Sequence, residues 1–402
     1  MRAALVAQGL ARAGELWTAI LPVSDPATDA QRMQWITACS TRVVLVPLPD
    51  PMTAIRGWLT YSAGRQIVAS VQPLPARARL ASPVCGEQVT QLLERRDFDL
   101  IYVLRLYLAG VAIPWFERTP RLSVILDVDE DDATVLYALA DLQWNRGNPQ
   151  VAAKTRIEAQ AYDRFTSACL PWFGSIVTAS TLESRRLREH HVLSNVATVP
   201  NAIPLMEKSF VAPSQDRPLK LVYVGNLDYL PNLDAAERLA IRILPAIRRR
   251  LPDAQLDLIG AGDEIKLARL ATLPGVNVCG QVTDLKPFYR RADLTIVPLR
   301  AGGGSRLKIL EAFANAIPVI ATPEAIAGLE VCAGEALIVA ETDEALTHAA
   351  LRVATDATLA QRIVARALSF VAQYHDCEKV AEYLAEWVRG QQALRHRNTI
   401  IS

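Results

Sequence analysis

The chain has 402 residues, of which 51% are hydrophobic and 21% are charged, and its 43 Lys and Arg residues nearly balance 42 Asp and Glu residues. This length exceeds what one hydrophobic core accommodates, so we expect two domains of about 200 residues each. The composition excludes a disordered chain. The charge balance gives no whole-chain attraction for nucleic acid, and we expect no nucleic-acid partner.

The sequence lacks a clear targeting or membrane-spanning segment. Residues 1–15 are interrupted by Gln8 and Arg12, unlike the continuous apolar core of a secretory signal. The apolar stretch 100–116 contains a charged residue and a proline, and it falls short of the roughly 20 apolar residues of a spanning helix. The six scattered cysteines form no C-x-x-C pair and are interpreted as reduced thiols. We expect a cytoplasmic protein, at most peripheral to the inner face of a membrane.

In the first half, short runs rich in Val, Ile and Leu alternate with amphipathic segments, which is typical of parallel sheets covered by helices. The chain opens in a helical pattern over Met1–Ala13, and a turn-rich text near 201–218 ends the half. We expect residues 1–205 to form an N-terminal domain. Its predicted strands are Leu16–Leu21, Val43–Val46, Leu100–Leu104, Ser123–Val128, Ile176–Thr178 and Ala197–Val199.

The second half alternates more regularly and predicts a doubly wound domain over 206–402. A helix is expected over Leu233–Arg250 with Asn232 as its N-cap, and three terminal helices over about 342–353, 356–373 and 376–391. The predicted strands are Leu221–Val224, Leu256–Ile259, Val276–Cys279, Leu294–Val297, Val319–Ala321 and Leu337–Val339.

A glycine-rich loop follows the strand Leu294–Val297. The glycines Gly302–Gly304 allow close approach of a ligand to the backbone, and Ser305 is expected to cap the next helix. Arg306 and Lys308 add cations to the first turn, where the helix dipole is already positive. Since a bound diphosphate would relieve this repulsion, the loop predicts an anion site.

Glu311 lies one helical turn after Lys308 on the same face. A carboxylate at that distance from a phosphate site can accept hydrogen bonds from two ribose hydroxyls. The alternative is a flexible surface loop in which Lys308 and Glu311 form an ordinary exposed pair.

Short motifs follow one another in the second half: Val224-Gly225-Asn226, Pro231-Asn232, Ile259-Gly260-Ala261-Gly262, Gly280-Gln281-Val282-Thr283-Asp284, Arg291-Ala292-Asp293, Pro298-Leu299, the glycine loop, Pro318-Val319-Ile320-Ala321-Thr322 and Gly328-Leu329. In this order they resemble the group 1 retaining glycosyltransferases, and within them the branch that builds bacterial exopolysaccharides. The resemblance is strong over about 218–332 and weaker over the N-terminal half. It implies the GT-B fold, two Rossmann-like doubly wound domains that face a cleft.

The resemblance also implies roles for individual residues. The donor-binding set would be Gly225 and Asn226 beside the diphosphate, Gly260, Ala261 and Gly262 at the nucleotide pocket, Gln281 and Val282 at the base, Gly302, Gly303, Gly304 and Ser305 in the loop, and Glu311 at the ribose. Arg306 and Lys308 would neutralise the departing diphosphate, the main catalytic task in such enzymes. No metal or other cofactor is then expected.

Three departures from the family pattern affect this interpretation. Where relatives place a Glu that touches the donor sugar, this chain has Gly303, and we expect backbone amides of Gly303 and Gly304 to take its place. Asn226 is followed by none of the Arg and Lys residues common there, so the phosphate charge falls on Arg306 and Lys308. The family's first strand and its glycine loop would precede Met1, which predicts a gap at the centre of the N-terminal sheet.

An acidic run follows the predicted strand Ser123–Val128. Asp127 and Asp129 alternate onto one side of it, and they could orient or deprotonate an acceptor hydroxyl. The alternative is a solvated acidic loop that caps the next helix. Arg105 stands where relatives often carry a donor-contacting His.

Together these features predict transfer of a sugar from a nucleotide-diphosphate sugar to a glycan or lipid-linked acceptor, with retention, in surface polysaccharide synthesis. One alternative is a non-catalytic member that binds a nucleotide sugar without turnover. A nucleotide-sugar 2-epimerase is less favoured, because the carboxylate and His groups it needs around the sugar are not found.

Overall fold

The computed structural model describes residues 2–21, 34, 36–92, 98–118, 123–191, 195–205, 210–211, 217–302, 306–331 and 333–400. The chain divides into two compact units. Unit 1 comprises Met1–Ala140, Pro149–Asn201 and Cys377–Ser402, and unit 2 comprises Asp141–Asn148 and Ala202–Asp376.

The expected domain boundary at residue 205 lies close to Asn201, where the middle segment of unit 1 ends. The sequence predicts that the C-terminal helix belongs to the second domain, whereas the structure has it in unit 1. This helix packs on the first helix of the chain: a Cβ added to Gly9 would stand 2.9 Å from Leu384 Cδ2. Arg12 also donates to the Glu378 carbonyl at 2.9 Å. The last segment therefore completes unit 1, which corrects the expected range 206–402 at its C-terminal end.

Six parallel strands of unit 1 form two sheets, one with the order β1-β2 and one with the order β3-β4-β5-β6. The apolar runs predicted all six, and every residue of β4 is buried. The strands are β1 (Trp17–Ile20), β2 (Arg42–Leu45), β3 (Leu100–Leu104), β4 (Ser123–Asp129), β5 (Ser175–Thr178) and β6 (Val196–Thr198).

Helices surround these strands and bury their apolar faces in the core of unit 1. They are α1 (Arg2–Ala13), α2 (Pro51–Thr60), α3 (Ser62–Ser70), α4 (Ala76–Leu80), α5 (Pro83–Leu92), α6 (Ile113–Arg118), α7 (Asp132–Asn145), α8 (Pro149–Cys169) and α9 (Thr181–His190), with 3-10 turns at Leu106–Ala112 and Leu170–Trp172. The last turn of α7, from Asp141 onward, belongs to unit 2 and not to the first domain as expected. The C-terminal helix, Cys377–Ile400, also belongs to this unit.

Unit 2 has two three-stranded parallel sheets, β7-β8-β9 and β10-β11-β12. A bridge between Leu221 and Leu294 joins them, and the Val222 N–H donates to the Leu294 carbonyl at 3.2 Å. The combined order, β9-β8-β7-β10-β11-β12, is the doubly wound arrangement that the sequence predicts. The strands are β7 (Lys220–Val224), β8 (Gln255–Ile259), β9 (Val276–Gly280), β10 (Thr295–Val297), β11 (Val319–Ala321) and β12 (Ile338–Val339).

The first helix of unit 2 differs from its prediction. It begins at Leu230 with Tyr229 as N-cap, because Pro231 fits the first turn, where no intrahelical N–H is needed. Asn232 is therefore a helical residue and not the N-cap. The unit 2 helices are α10 (Leu230–Arg238), continued by a π-helical turn (Leu239–Ile243) into α11 (Leu244–Arg248), then α12 (Glu264–Ala271), α13 (Lys286–Arg291), α14 (Leu307–Ala314), α15 (Pro323–Ile326), α16 (Asp343–Thr355) and α17 (Ala357–Tyr374). We denote the C-terminal helix of unit 1, Cys377–Ile400, as α18.

Among the helices in the described ranges, none is both long enough and apolar enough to cross a membrane. Of the five cysteines described, Cys85 and Cys169 are buried and the others are half-buried, and all five are free thiols.

Candidate nucleotide-binding site

The site residues of unit 2 gather at the carboxyl ends of β7 and β10. β7 and β10 are neighbours in the sheet. The strand that follows β7 in the chain, β8, pairs with its outer edge, and the strand that follows β10, β11, pairs with the opposite outer edge, so the order of strands reverses between β7 and β10. Such a topological switch point leaves a crevice outside the strand ends, and open α/β sheets bind their ligands there. Gly225 after β7 and Gly302 after β10 both lie at this crevice.

Two of the predicted glycines are closely surrounded, Gly225 by side chains and Gly260 by backbone. A Cβ on Gly225 would stand 3.2 Å from Lys308 Nζ and 3.0 Å from Asn232 Nδ2. Gly260 has φ +145°, and its Cβ would stand 1.8 Å from the Gly225 carbonyl oxygen. Only glycine fits at Gly260, so the turns after β7 and β8 can touch and leave the crevice floor as bare backbone.

Lys308 is the cation closest to this floor. It lies in the first turn of α14, and its Nζ donates to Asn232 Oδ1 at 2.6 Å and to the Tyr223 hydroxyl at 3.0 Å. The Nζ also stands 4.6 Å from the centre of the Tyr223 ring, within the range of a cation–π contact. Three uncharged groups thus hold the ammonium beside Gly225, and no carboxylate among the described residues forms an ion pair with it.

Burial and the nearby Arg306 guanidinium lower the pKa of Lys308 to about 7, although Glu311 opposes the shift. The dipole of α14 adds positive potential at the same helix end. A protonated Lys308 is therefore electrostatically unfavourable until an anion arrives. A diphosphate at Gly225 would supply the compensating charge, which is the chemistry that the sequence predicts for this loop.

Arg306 differs from its predicted setting. It is itself the N-cap of α14, with φ +50° and no side-chain cap bond, so the predicted cap at Ser305 is wrong. Its Nε donates to the Ala327 carbonyl at 2.9 Å, and both Nη atoms lie 3.4 Å from the Gly302 carbonyl. Arg306 therefore ties Gly302 to Ala327 at the end of α15, and its guanidinium stays at the N-terminus of α14.

Glu311 lies one turn beyond Lys308 and faces the same crevice. The Tyr289 hydroxyl donates to its Oε2 at 3.2 Å. Burial raises the pKa of Glu311, while the Tyr289 hydrogen bond and Lys308 lower it. Its second oxygen and the remaining lone pairs can accept hydrogen bonds from a diol, as the ribose assignment requires.

The remaining predicted donor residues are placed around these. Gly302 has φ +125° and lies against Pro231, and the chain entering the loop is tied to α10 because Arg300 donates to Asp234 at 2.8 Å. Asn226 is exposed, and its carbonyl accepts a 2.9 Å bond from Asn232. Gly262 packs against Leu227. At the position predicted for the base, Gln281 is exposed and Val282 is half-buried. The remaining predicted residues, Gly303, Gly304 and Ser305, lie outside the described residues.

Three residues that shape the site were not predicted from the sequence. Asn232 was predicted as a helix cap, and Tyr223 and Tyr289 were given no role, yet all three contact Lys308 or Glu311. The one sequence signal was the Pro231-Asn232 pair after β7, because a proline in the first turn of the helix places the asparagine that follows it near the strand ends.

Unit 1 carries a second polar cluster at the carboxyl end of β4. Asp127 is fully buried, and the Arg2 guanidinium donates to its Oδ1 at 2.9 Å, while the Tyr102 hydroxyl donates to its Oδ2 at 2.6 Å. Arg2 also donates to the Val199 carbonyl at 2.9 Å. Burial raises the pKa of Asp127, whereas Arg2 and Tyr102 lower it. These bonds anchor α1 at the strand ends and occupy both carboxylate oxygens of Asp127.

Asp129 lies in the same cluster, as the strand alternation predicts. It is 3.4 Å from Arg2 and 2.8 Å from Arg105, and both Asp129 and Arg105 have positive φ values, of 59° and 94°. Positive φ in residues other than glycine is strained and is often found at functional sites. Further along the acidic run, Asp131 accepts the Ala133 N–H at 3.1 Å and so caps α7, as the alternative of a helix-capping loop predicts for part of this run.

The second unit matches a known family. Residues 218–356 match a sequence model of the family described as Glycosyl transferases group 1. An uncharacterized 44.6 kDa protein in the cps region of Klebsiella pneumoniae is 23% identical over 190 residues, which cover 45% of this chain and 49% of that protein. The match thus spans about half the length of that curated relative.

Solved structures resemble the chain over nearly its whole length. Sucrose-phosphate synthase from Thermosynechococcus elongatus has a TM-score of 0.64 at 16% identity, covering 94% of this chain and 100% of that one. Anabaena HepE in complex with UDP and glucose has a TM-score of 0.63 at 14% identity, covering 96% of both chains. A glycosyltransferase from Rickettsia africae has a TM-score of 0.62 at 11% identity, covering 98% of this chain and 94% of that one. These similarities show that the chain has the GT-B fold of glycosyltransferases.

Proposed function

We propose that the protein is a glycosyltransferase that uses a nucleotide-diphosphate sugar as donor. The observation that carries this proposal is the buried Lys308 ammonium, held beside the bare backbone of Gly225 at the switch point of unit 2. Arg306 and the N-terminus of α14 add positive charge, and Glu311 lies one turn away for the ribose. The match of residues 218–356 to the group 1 family supports the same activity.

In this proposal the chain lowers the barrier by stabilising charge on the departing diphosphate. Lys308 and Arg306 pair with the phosphate oxygens more strongly as the glycosidic bond breaks, since negative charge then accumulates there. These two cations take the role that a metal ion has in other transferases, so we expect turnover without added metal. Gly303 and Gly304 would contact the donor sugar through backbone amides.

We further propose a retaining reaction with a glycan or lipid-linked acceptor in surface polysaccharide synthesis. The retaining outcome rests on the resemblance of the ordered motifs in unit 2. The pathway is supported by the relative encoded in a cps region. The complex of HepE with UDP and glucose supports a nucleotide sugar as donor. The anomeric configuration of an isolated product, read by NMR, tests the stereochemistry directly.

The proposed activity is tested by incubating the full chain with UDP-, GDP- and ADP-sugars and following release of the nucleoside diphosphate. We expect release from one nucleotide class, increased by glycan or lipid-linked acceptors and reduced in Lys308→Ala. The matched control is Lys266→Ala, because Lys266 is an exposed lysine on α12 of the same unit. Release that is equal in Lys308→Ala and in the control would contradict the assignment.

A second candidate is a protein that binds nucleotide sugar without turnover. In the described part of unit 1 the strands form two separate sheets instead of one. The acceptor side of a GT-B enzyme lies in that unit, so a divided sheet there favours a protein that binds the donor but does not transfer the sugar. Tight nucleotide binding without release from any donor, with and without acceptors, would favour this candidate over the enzyme.

A further inference from the structure

A buried aspartate of α10 binds two arginines that come from different parts of unit 2. Asp234 is 1% exposed, and its Oδ2 accepts a hydrogen bond from Arg300 Nε at 2.8 Å. Arg300 Nη2 donates to Asp234 Oδ1, so this pair is bidentate. Arg146 Nη1 donates to the same Oδ1 at 2.7 Å. Burial acts to raise the pKa of Asp234, but the hydrogen bonds from the two arginines hold it below its ordinary value.

Arg300 connects this carboxylate to the glycine loop. It lies two residues before Gly302, which has φ +125°. The Gly302 carbonyl in turn lies 3.4 Å from both Nη atoms of Arg306, the N-cap of α14. The contacts therefore run from Asp234 through Arg300 and Gly302 to Arg306, which is one of the two cations proposed for the diphosphate.

The same helix also holds the chain before and after the loop. Arg238 of α10 donates to the Pro298 carbonyl at 3.1 Å, and Asn232 of α10 accepts the Lys308 bond. A bidentate pair between two charged groups is stronger than a single hydrogen bond to a neutral group. The pair of Asp234 and Arg300 is thus the strongest of these three attachments to α10.

We propose that Arg300 is a positioning residue of the donor site: it fixes Gly302 and Arg306 for the diphosphate by binding Asp234, and it does not itself touch the phosphates. This inference rests on the function proposed above, because it concerns the same donor. A backbone and a cation that are held in place before the ligand arrives lose less conformational entropy on binding, so the held loop binds the donor more tightly.

The geometry of Arg300 distinguishes this role from that of a third phosphate ligand. Its side chain is 47% exposed, so solvent reaches part of it. Its Nε and Nη2 atoms nevertheless both donate to Asp234, which directs the guanidinium toward α10. Release of Arg300 from Asp234 should therefore weaken nucleotide binding, whereas a direct phosphate ligand would bind at least as well after its release.

Arg146 provides a matched control on the same carboxylate. It lies in the segment Asp141–Asn148, far from the glycine loop in the sequence, and it also pairs with Glu237 at 2.8 Å. Arg146→Gln and Arg300→Gln each remove one arginine from Asp234, so both should lower the melting temperature to a similar extent. Arg300→Gln alone releases the chain that enters the loop.

The test is calorimetric titration of the full chain with whichever of UDP, GDP and ADP binds best. We expect Arg300→Gln to weaken binding about ten-fold, within the range of couplings in one ion-pair network, and Arg146→Gln to bind like the wild type. Asp234→Ala should lose as much affinity as Arg300→Gln, and the double variant should lose no more, because both act through one contact. Arg300→Lys keeps an ion pair and should recover part of the affinity only while Asp234 is present.

Three results would overturn the positioning role of Arg300. They are wild-type affinity in Arg300→Gln, equal losses in Arg300→Gln and Arg146→Gln, and undiminished affinity in Asp234→Ala, which would make the released Arg300 a direct phosphate ligand. If Asp234→Ala does not fold, the comparison of the two arginine variants decides alone.

The variant Lys308→Ala in the same titration separates this inference from the proposed function. Loss of affinity in Lys308→Ala together with wild-type affinity in Arg300→Gln would contradict the positioning role alone. No binding of any of the three nucleotides by the wild type would contradict the proposed function, and the positioning role with it.

Discussion

At the scale of single residues, the site combines a cation and a carboxylate whose pKa values are both shifted by burial. Lys308 is buried among neutral partners and close to Arg306, so its pKa falls to about 7. Glu311 is buried beside a tyrosine hydroxyl, so its pKa is raised. Perturbed ionisable groups in a crevice are typical of functional sites.

Diphosphate binding should be linked to proton uptake by Lys308. The anion favours the ammonium and raises its pKa, so above about pH 7 the lysine gains a proton on binding and affinity falls as pH rises. At about pH 8 most free Lys308 is neutral, and uptake should approach one proton; at about pH 6 the lysine contributes none. Calorimetry in two buffers of different ionisation enthalpy measures the uptake, and Lys308→Met corrects for titration of the nucleotide itself. The same uptake in Lys308→Met would contradict the prediction.

Glu311→Gln should weaken nucleotide binding through the ribose with little change in stability. Glutamine keeps the hydrogen bond from Tyr289 and removes a carboxylate whose burial is unfavourable, so the melting temperature should stay nearly constant. Binding of ribonucleotides and their deoxyribose analogues should then become similar. If the deoxyribose analogue lost as much affinity in the variant as in the wild type, Glu311 would not be the ribose partner.

At the scale of elements, α1 is fixed by two arginines with different surroundings. Arg2 is buried with Asp127 and Asp129, whereas Arg12 pairs with the exposed Glu378 on α18. Burial acts to lower the pKa of Arg2, but the two aspartates raise it above its ordinary value. Arg2 and Arg12 therefore allow a buried and an exposed ion pair on the same helix to be compared.

Arg2→Met should destabilise unit 1 by about 3–5 kcal/mol, because it leaves the buried Asp127 carboxylate without its cation, whereas Asp129 keeps its ion pair with Arg105. Arg12→Met should cost only about 0–1 kcal/mol, the range of exposed ion pairs. Tryptophan fluorescence in urea reports the transition, since all seven tryptophans except Trp144 belong to unit 1. Similar urea midpoints for the two variants would show that the Arg2 cluster does not hold α1.

At the scale of the whole molecule, local patterns predicted the elements, and long-range packing decided their neighbours. The strands β1 to β12 and the crevice with Lys308 and Glu311 were predicted from apolar runs and glycine positions, which are signals that span only a few residues. The position of α18 could not be predicted, because an amphipathic helix shows that one face is buried but not against which unit. Asn232 was misassigned for a similar reason: its side chain bonds Lys308, 76 positions away.

The proposed function requires that unit 2 bind the diphosphate of a nucleotide sugar through Lys308 and Arg306. Calorimetric titration of the full chain with UDP, GDP and ADP measures this binding, with Lys308→Ala and Arg306→Ala compared with the exposed-lysine control Lys266→Ala. We expect one nucleotide to bind best and each site variant to lose about 1.5–3 kcal/mol of its binding free energy, the range for hydrogen bonds to charged groups. The control should bind like the wild type. Unchanged affinity in both site variants for the best nucleotide would contradict the account.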